Sequence, residues 1–353
     1  MYRLGRYLFN TVLGSILMVL LVLVGFNVIA GIIDELADVN ESYSFVNALV
    51  FVVTSIPGSI FNLLPFAALI GCLAGLGSMA GSSELVVMRA SGVSTARVVW
   101  MVMRPAIVVM VLGMVVSEYI APHTESIAQS ERATAQRKSD NLVSREGLWH
   151  REGNRFMHFN VVQPNGVLYG VTMYTFDDQR RLVNALYAAR AIFQAGHWVL
   201  EDVVESELTA ERVFSHSSSS KGWDTDLSPG LLNILILRPI DLSIEELWAY
   251  TRYLEGQNLQ SGTYMLAFWK KVLQPLSTLA LVLVAISFVF GPLRQVTMGF
   301  RIFIGVLVGI VFRMGQDLLA PASLVYGFQP IYASLLPILV CLVIGAWFLR
   351  RAR

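Results

Sequence analysis

Residues 57–80 read PGSIFNLLPFAALIGCLAGLGSMA, and GSSELVVMRASG follows them directly at 81–92. The first stretch is long and apolar enough to cross the hydrocarbon core of a membrane, which takes about 20 helical residues. The second stretch carries hydroxyls and one charge of each sign, which favours a membrane surface. Its opening serines and closing glycine are typical start and stop signals of a short helix. The apolar side chains of this predicted helix include Leu85, Val86 and Met88.

Apolar stretches of the same length recur along the chain. Of 353 residues, 55% are hydrophobic and only 14% are charged, and the mean hydropathy is +0.60, whereas about a quarter of the residues in soluble domains are charged. The sequence therefore predicts an α-helical polytopic membrane protein. The first span lacks a convincing cleavage site and is interpreted as a retained span. The six predicted spans are 11–33, 57–80, 98–120, 272–290, 299–319 and 331–349.

Basic residues gather at alternate ends of these spans. The loop after the first span holds acids and no base at all. Because cytoplasmic loops carry the excess of Lys and Arg, both termini and the 82–92 helix are predicted to be cytoplasmic. The basic residues are Arg3, Arg6, Arg89, Arg97, Arg104, Arg294, Arg301, Arg350, Arg351 and Arg353, and the opposing acids are Asp34, Glu35, Asp38 and Glu41.

By the same alternation, the polar stretch 122–262 lies outside, which is the periplasm in a bacterium with two membranes. Alternating runs with turn signals at 164–166 and 195–196 predict an antiparallel β domain of the sandwich or jelly-roll kind. The serines at 217–220 are predicted to form a flexible loop, and 242–254 a helix. The predicted strands are 155–162, 167–176, 182–193 and 198–208, and the predicted domains are 1–121, 122–262 and 263–353.

Motifs of a catalytic or metal site do not occur in this sequence. There is no GxxxxGK[ST] phosphate loop, no HExxH and no GxSxG, and the five histidines lack metal-ligand spacing. Cys72 and Cys341 fall inside apolar spans, as small buried side chains do. The chain is therefore expected to have no catalytic residues, no metal, no cofactor of its own and no nucleic-acid partner.

Two opposite charges fall inside the fifth span. Arg313 and Asp317 lie roughly 18 Å and 24 Å from Arg301 at 1.5 Å per helical residue, which places them in the outer half of the membrane. They are one turn apart, so one interpretation is a self-satisfied ion pair near the outer interface. The other is that Arg313 faces an internal cavity and contacts an anionic group, with Glu118 near the same mouth. The sequence leaves both open.

Small residues recur four apart in the second and fifth spans. This spacing allows helices to pack closely, and packing within the chain is the simplest explanation. Six spans make a small bundle, however, so a dimer with a second copy or a homologue is also expected. The glycines are Gly71, Gly75, Gly77, Gly81, Gly305 and Gly309.

Several of these motifs occur together, in the same order, in one known family. SELVVMRASG at 83–92 closely resembles the coupling helix of the lipopolysaccharide export permeases of the LptF/LptG family. FGPLR at 290–294 resembles their loop between spans four and five, and LVYG at 324–327 resembles a segment before their last span. GLW at 147–149 and YTFDD at 174–178 favour the LptG branch.

The resemblance implies an inner-membrane subunit that works in a larger complex. Its partners would be an LptF-like permease, two LptB-like ATPase subunits that use ATP and magnesium, and an LptC-like periplasmic protein with one transmembrane helix. The outer domain would be a β-jellyroll in a periplasmic bridge. The residues that match the coupling helix are Glu84, Leu85, Val86, Met88, Arg89, Ala90, Ser91 and Gly92.

Lipopolysaccharide needs an apolar cavity for its acyl tails and cations for its phosphates. The candidate contacts are Phe61, Leu63, Phe66 and Tyr326 for tails, and Arg132, Arg137 and Arg313, beside Asp317, for phosphates. Arg132 and Arg137 fit a solvated helix face equally well. Relatives carry phosphate-binding lysines after the first span, but this chain has DELAD at 34–38, so that role is not carried over.

The energy for lipid movement would come from the partner ATPase, whose closure would drag spans two and three and expel lipid toward the β domain. Three rival classes remain. They are a mechanotransmitting permease that conducts no lipid, a membrane assembly scaffold, and a polytopic enzyme.

Overall fold

The computed structural model describes residues 2–40, 43–137, 148–162, 166–194, 196–209, 212–225, 227–257, 259–291 and 296–351. Within these ranges, the side chains of residues 133, 134, 136, 137, 233, 235 and 236 are outside the description. The helices are α1 (Tyr2–Leu36), α2 (Phe45–Thr54), α3 (Ile56–Gly81), α4 (Glu84–Ala90), α5 (Thr95–Val115), α6 (Ala121–Arg137), α7 (Pro229–Ile236), α8 (Ile244–Gly256), α9 (Gly262–Phe290), α10 (Met298–Tyr326) and α11 (Pro330–Arg351).

Six helical segments are long and apolar enough to cross a membrane: α1, α3, the combined α5 and α6, α9, α10 and α11. This confirms the six predicted spans. The third span continues without a break from Thr95 to Arg132, through a π-helical turn at Val116–Ile120. The predicted domain boundary at 121 therefore falls inside a continuous helix. The short apolar helix α2 was not predicted, because its ten residues are too few to cross the membrane.

Helix α3 lies at the centre of the bundle. Helices α1, α5, α9 and α10 all pack against it. In the apolar stretch of α3, 72% of the residues are buried, whereas in that of α1 only 6% are. The periphery of the bundle is therefore formed by helices such as α1, whose apolar surface is largely uncovered.

The small residues of α3 and α10 allow close contact within the chain. A Cβ atom at Gly71 would lie 2.6 Å from Cα of Ile16 on α1, and one at Gly305 would lie 2.5 Å from Cδ1 of Leu73. At Gly71 the clash would be with the backbone of α1, whereas at Gly305 the end of the Leu73 side chain would have to shift. The spaced glycines therefore serve helix packing inside this subunit.

Six antiparallel strands form one sheet between α6 and α7, and their order in the sheet is their order in the chain. The four predicted strands are confirmed, whereas the outer strands β1 and β6 were missed. The prediction of a flexible loop at 217–220 is wrong, because these serines lie within β6. The strands are β1 (Leu148–Glu152), β2 (Arg155–Val162), β3 (Val167–Phe176), β4 (Leu182–Gln194), β5 (His197–Leu208) and β6 (Val213–Trp223).

The sheet is rolled up, which makes the domain jellyroll-like. In a flat sheet, β2 and β6 would be about 19 Å apart, at roughly 4.8 Å for each strand step. The rings of Phe159 on β2 and Trp223 on β6 are nevertheless only 6.1 Å apart, and Nη1 of Arg155 donates to the carbonyl of Asp224 at 3.3 Å. The roll therefore encloses its own apolar core. Of the predicted turns, residues 164, 165 and 195 lie outside the described residues.

Helix α8 confirms the predicted helix at 242–254. It begins at a capping box, in which Ser243 and Glu246 each bond to the other's backbone N–H. Its apolar side packs on the first turns of α9, and the ring centroids of Tyr250 and Tyr264 are 4.5 Å apart. Helix α8 therefore joins the β domain to the fourth span.

We expect Gly71→Ala to lower the free energy of unfolding by about 1–3 kcal/mol, the usual cost of overpacking. The new methyl group would force α1 away from α3, because its nearest neighbours are backbone atoms of Ile16. Gly25→Ala is the matched control, since a Cβ there has nothing within 4 Å. Unfolding of the detergent-solubilised chain measures both, and equal stability of the two variants would contradict the close packing.

Candidate functional site

The surface helix α4 is fixed at its C-terminal end by a Schellman motif. The N–H of Gly92 donates to the carbonyl of Arg89 at 3.0 Å, and that of Val93 donates to Met88 at 3.2 Å. Gly92 has a φ of 86°, which glycine adopts without strain. Met88 and Val93 are both buried in the bundle core, the apolar contact that accompanies this motif. The predicted glycine stop signal is confirmed.

The N-terminal end of α4 differs from the predicted serine cap. Ser83 is the N-cap residue but has a left-handed φ of 61° and no side-chain capping bond. Ser82 instead donates its hydroxyl to Oε1 of Glu84 at 2.8 Å. The hydroxyl of Tyr7 on α1 also interacts with the Glu84 carboxylate. Glu84 is therefore attached to both α1 and the end of α3.

The two faces of α4 differ sharply in exposure. Leu85 and Met88 are 5% and 6% exposed and belong to the bundle core, whereas Val86 and Val87 are 46% and 66% exposed. Of the residues that match the coupling helix, Leu85 and Met88 therefore hold α4 on its own bundle and are not offered to a partner. The outward face consists of Val86, Val87, Ala90, Ser91 and Gly92.

A groove of about 390 Å³ runs between α4 and the end of α9. Arg89 lies over the ring of Phe290 with its guanidinium carbon 6.0 Å from the ring centroid. The groove adjoins the FGPLR segment, of which residues 292–294 lie outside the described part of the chain. The groove is lined by Ala80, Leu85, Val86, Arg89, Ala90, Val289 and Phe290.

Arg301 ties α10 to α3 about one helical turn before the end of α3. Its side chain is buried at 3% exposure, and Nη1 donates to the carbonyl of Gly77. A Cβ at Gly77 would lie 3.1 Å from Cδ of Arg301, so the glycine leaves room for the arginine. Sequence reasoning assigned Arg301 only to the basic flank of the span.

A buried lysine organises the opposite end of the bundle. Nζ of Lys271 donates to the carbonyl of Ser117 at 3.0 Å and to that of Leu242 at 2.6 Å, and lies 3.8 Å from Glu118. Glu118 in turn accepts from the N–H of Ile244 at the start of α8. Lys271 therefore joins the third span, α8 and the fourth span. Sequence reasoning missed it, because the predicted apolar span began at residue 272.

Asp317 is shared by two cations rather than paired with one. Nε of Arg313 lies 2.7 Å from Oδ2 of Asp317, and Nζ of Lys270 lies 3.3 Å from Oδ1. A notch between α3, α9 and α10 is lined by Lys270, Arg313, Phe66 and the amides of Asn62, Gln274 and Gln316. The predicted ion pair is thus present, and Lys270 is the cation that sequence reasoning missed.

Arg132 is held by the acids that follow the first span. Its Nη2 lies 3.2 Å from Glu35 and 2.6 Å from Asp38, and Tyr43 also donates to Glu35 at 2.9 Å. Arg132 therefore lies in an ion-pair cluster of the chain itself rather than on a solvated helix face, and its phosphate contact stays a prediction. The side chain of Arg137 lies outside the described residues.

The predicted acyl-tail contacts are distributed unequally. Phe61 is only 5% exposed and belongs to the bundle core, so it does not line an open cavity as expected. Leu63 and Phe66 are half-buried, and Tyr326 is 81% exposed.

Comparison with known proteins shows the family of the chain. The family model described as "Lipopolysaccharide export system permease LptF/LptG" matches residues 6–351. The chain belongs to the LptF/LptG family. Over 352 residues it is 38% identical to the lipopolysaccharide export system permease protein LptG of Escherichia coli K12, covering 99% of this chain and 98% of that protein. Over 353 residues it is 34% identical to LptG of Haemophilus influenzae, covering 99% of each chain.

The LptF/LptG match confirms the family that the motifs indicated, and both relatives carry the LptG name that GLW and YTFDD favoured. A permease family is consistent with a non-catalytic chain. The six spans agree with a multi-pass membrane protein.

The β domain is fastened to α8 through a histidine. His150 on β1 is buried at 6% exposure, and its Nε2 lies 3.2 Å from the hydroxyl of Tyr253. Burial lowers the pKa of His150, against the opposing effect of the Glu152 carboxylate. The fold therefore favours the neutral imidazole.

We expect the β domain to lose stability as pH falls below about 6.5, the usual pKa of histidine. The unfolded chain then binds a proton that the folded His150 does not, so stability is full above this pH and declines toward the lowered folded pKa. Burial also lowers the pKa of His158, which adds to the same trend. Melting curves against pH should be flatter for His150→Gln, and an unchanged slope would contradict this role.

Lys271→Met should destabilise the chain by about 3 kcal/mol or more, because it leaves Glu118 without its buried counter-charge. The carbonyls of Ser117 and Leu242 would also lose their donor. Ser277→Ala is the matched control in the same helix, since the buried Ser277 hydroxyl bonds within α9, to the carbonyl of Leu273. Denaturant unfolding compares the two, and a loss no larger than that of Ser277→Ala would contradict the linking role.

Proposed function

We propose that this chain is the transmembrane permease subunit of an ATP-driven exporter that extracts lipopolysaccharide from the inner membrane and passes it to the periplasmic side. The observation that carries this proposal is the uncovered outer face of α4 in a chain that matches the LptF/LptG family over residues 6–351. Val86 and Val87 are exposed there, whereas Leu85 and Met88 on the opposite side of the helix are buried. An exposed apolar face of this kind suits a partner protein.

In the assembly that we propose, an LptF-like permease forms a heterodimer with this subunit. An LptB-like ATPase dimer, which holds ATP and magnesium, binds α4 on the cytoplasmic side. An LptC-like protein with one transmembrane helix binds beside the first span and through the β domain. Both termini then lie in the cytoplasm and the β domain in the periplasm, as the basic residues predict.

Movement of α4 can be transmitted to the bundle through direct contacts. Leu85 and Met88 attach α4 to the core, and the chain continues from it into α3 and α5. Arg301 bonds to Gly77 and so extends the same movement to α10. These contacts support a mechanism in which closure of the ATPase shifts the second, third and fifth spans together.

The periplasmic end has a matching connection. The third span reaches Lys271 through the carbonyl of Ser117, and α8 reaches the β domain through Tyr253 and His150. Movement of the third span would therefore reach the β domain through hydrogen-bonded contacts. Lipid expelled from the bundle would meet a domain that moves with it.

The interior of the rolled sheet is already filled in this conformation. Phe159 and Trp198 are 0% and 1% exposed, and the rings of Trp198 and Trp223 are 5.7 Å apart. Acyl chains would have to part this aromatic cluster in order to enter. A photocrosslinker at Phe159 that captures lipid only during ATP hydrolysis would support a conducting role, and one that never captures lipid would leave the domain a docking role alone.

The proposed function is tested by reconstituting the chain with LptF-like and LptB-like partners in proteoliposomes that contain lipopolysaccharide. ATP-dependent transfer of crosslinkable lipopolysaccharide from the membrane to the β domain is the expected result. A stable complex that hydrolyses ATP but never captures lipid would overturn lipid extraction and favour mechanotransmission.

Val87→Glu should abolish assembly with the ATPase, because it places a charge at the centre of the exposed apolar face of α4. Glu84→Arg should have the same effect by removing the anchor to Tyr7 and Ser82. Val213→Glu is the matched control, since Val213 is 62% exposed on the β domain and Val87 is 66% exposed. Co-purification of the ATPase measures assembly, and retention by Val87→Glu would contradict this docking face.

A further inference from the structure

Three charges lie near the outer ends of α9 and α10. Each helix has 29 residues, a length of about 43 Å at 1.5 Å per residue, so both extend beyond a hydrocarbon core about 30 Å thick. Lys270 lies eight residues after Gly262, and Asp317 lies nine residues before Tyr326. This depth is close to the level at which lipid headgroups meet acyl chains.

All three side chains are partly open on membrane-spanning helices. The exposed fractions are 24% for Lys270, 48% for Asp317 and 44% for Arg313. A charge facing hydrocarbon costs roughly 3 kcal/mol or more, so charged side chains in spans face water, a cavity or a polar ligand. The surroundings support a polar ligand, because Asn62, Gln274 and Gln316 line the same notch.

The notch itself is too small to hold a headgroup. Its volume of about 20 Å³ is enough for one water molecule. A ligand must therefore bind across the rim, where Lys270 and Arg313 lie on different helices and converge on one carboxylate.

The two oxygens of Asp317 are each held by a different cation. This is the arrangement that two oxygens of a phosphate would adopt between a lysine and an arginine. Two cations share one carboxylate, so the cluster has a formal charge of +1 and attracts a further anion. The Asp317 side chain is 48% exposed, so it has room to rotate away when a phosphate takes its place.

We propose that Lys270 and Arg313 form a binding site for a headgroup phosphate of an anionic amphiphile, and that Asp317 is a resident carboxylate which this phosphate displaces. The inference rests on the proposed function, since it assigns the phosphate to the lipid that is exported. Asp317 gives the site a second property. When the phosphate leaves, the carboxylate pairs with both cations again, so release does not leave two bare charges near the membrane.

The assignment makes the carboxylate and the cations act in opposite directions. Asp317→Asn removes the competitor and should tighten binding about five-fold, the scale of one partly exposed ion pair. Lys270→Gln and Arg313→Gln each remove a phosphate contact and should weaken binding by at least the same factor. A purely structural ion pair would respond differently, because all three substitutions would then loosen the contact between α9 and α10.

The test uses the complex with its LptF-like and LptB-like partners in lipid nanodiscs. Binding is measured for fluorescent lipopolysaccharide with its phosphates intact and after enzymatic dephosphorylation. Glu201→Gln is the matched control, since it breaks the Arg190–Glu201 pair of similar exposure on the β domain and should change neither affinity. The opposite shifts are expected only for the phosphorylated lipid.

Several results would overturn the site. They are weaker binding by Asp317→Asn, equal shifts with dephosphorylated lipid, and displacement of the lipid by millimolar inorganic phosphate, which would identify a site for free phosphate. Failure of the proposed function is separate. A wild-type complex that binds phosphorylated lipid with these shifts, but releases none with ATP, would leave the site intact and overturn export.

Discussion

The buried ammonium group of Lys271 makes the contacts on which the connection between the β domain and the helical bundle depends. A buried lysine is tolerated only when its charge is met by acceptors, and here two backbone carbonyls and Glu118 supply them. One of those carbonyls belongs to the π-helical turn of the third span. π-Turns often mark functional positions in helices. The third span, the start of α8 and the fourth span therefore meet at Lys271. This contact fixes the position of α8, to which the β domain is attached through His150.

The parts of the fold that sequence could predict are those with a clear hydrophobic period. The four central strands alternate because one side of each faces the core of the roll, and β2 and β3 begin and end at the predicted residues. Strand β6 shows no alternation, since nearly all of it is exposed on both faces at the edge of the sheet. Its serine run therefore has the composition of a loop although its backbone pairs with β5.

The candidate site shows the same division between local and distant information. The glycine stop of α4 is a local signal, and the structure confirms it. The direction in which Leu85 and Met88 point depends on where the bundle lies, which no short segment of sequence records. Lys270 and Arg132 acquire their roles from partners 47 and 94 residues away, so their pairing could not be predicted from spacing. The acids Glu35 and Asp38 have a role within the chain through that pairing, because they neutralise Arg132.

Helix α4 has only seven residues, fewer than an isolated helix needs to persist in water. It is therefore folded only while Leu85 and Met88 remain seated in the bundle, and its outer face exists only in that condition. Thermodynamic linkage makes such a dependence reciprocal. A protein that binds Val86 and Val87 must therefore stabilise the bundle packing that exposes them. A ligand in the bundle that loosens this packing must weaken the binding of that protein, by the same factor by which the protein weakens the binding of the ligand. A molecule bound among the spans would then influence a protein bound to α4 without ever approaching it.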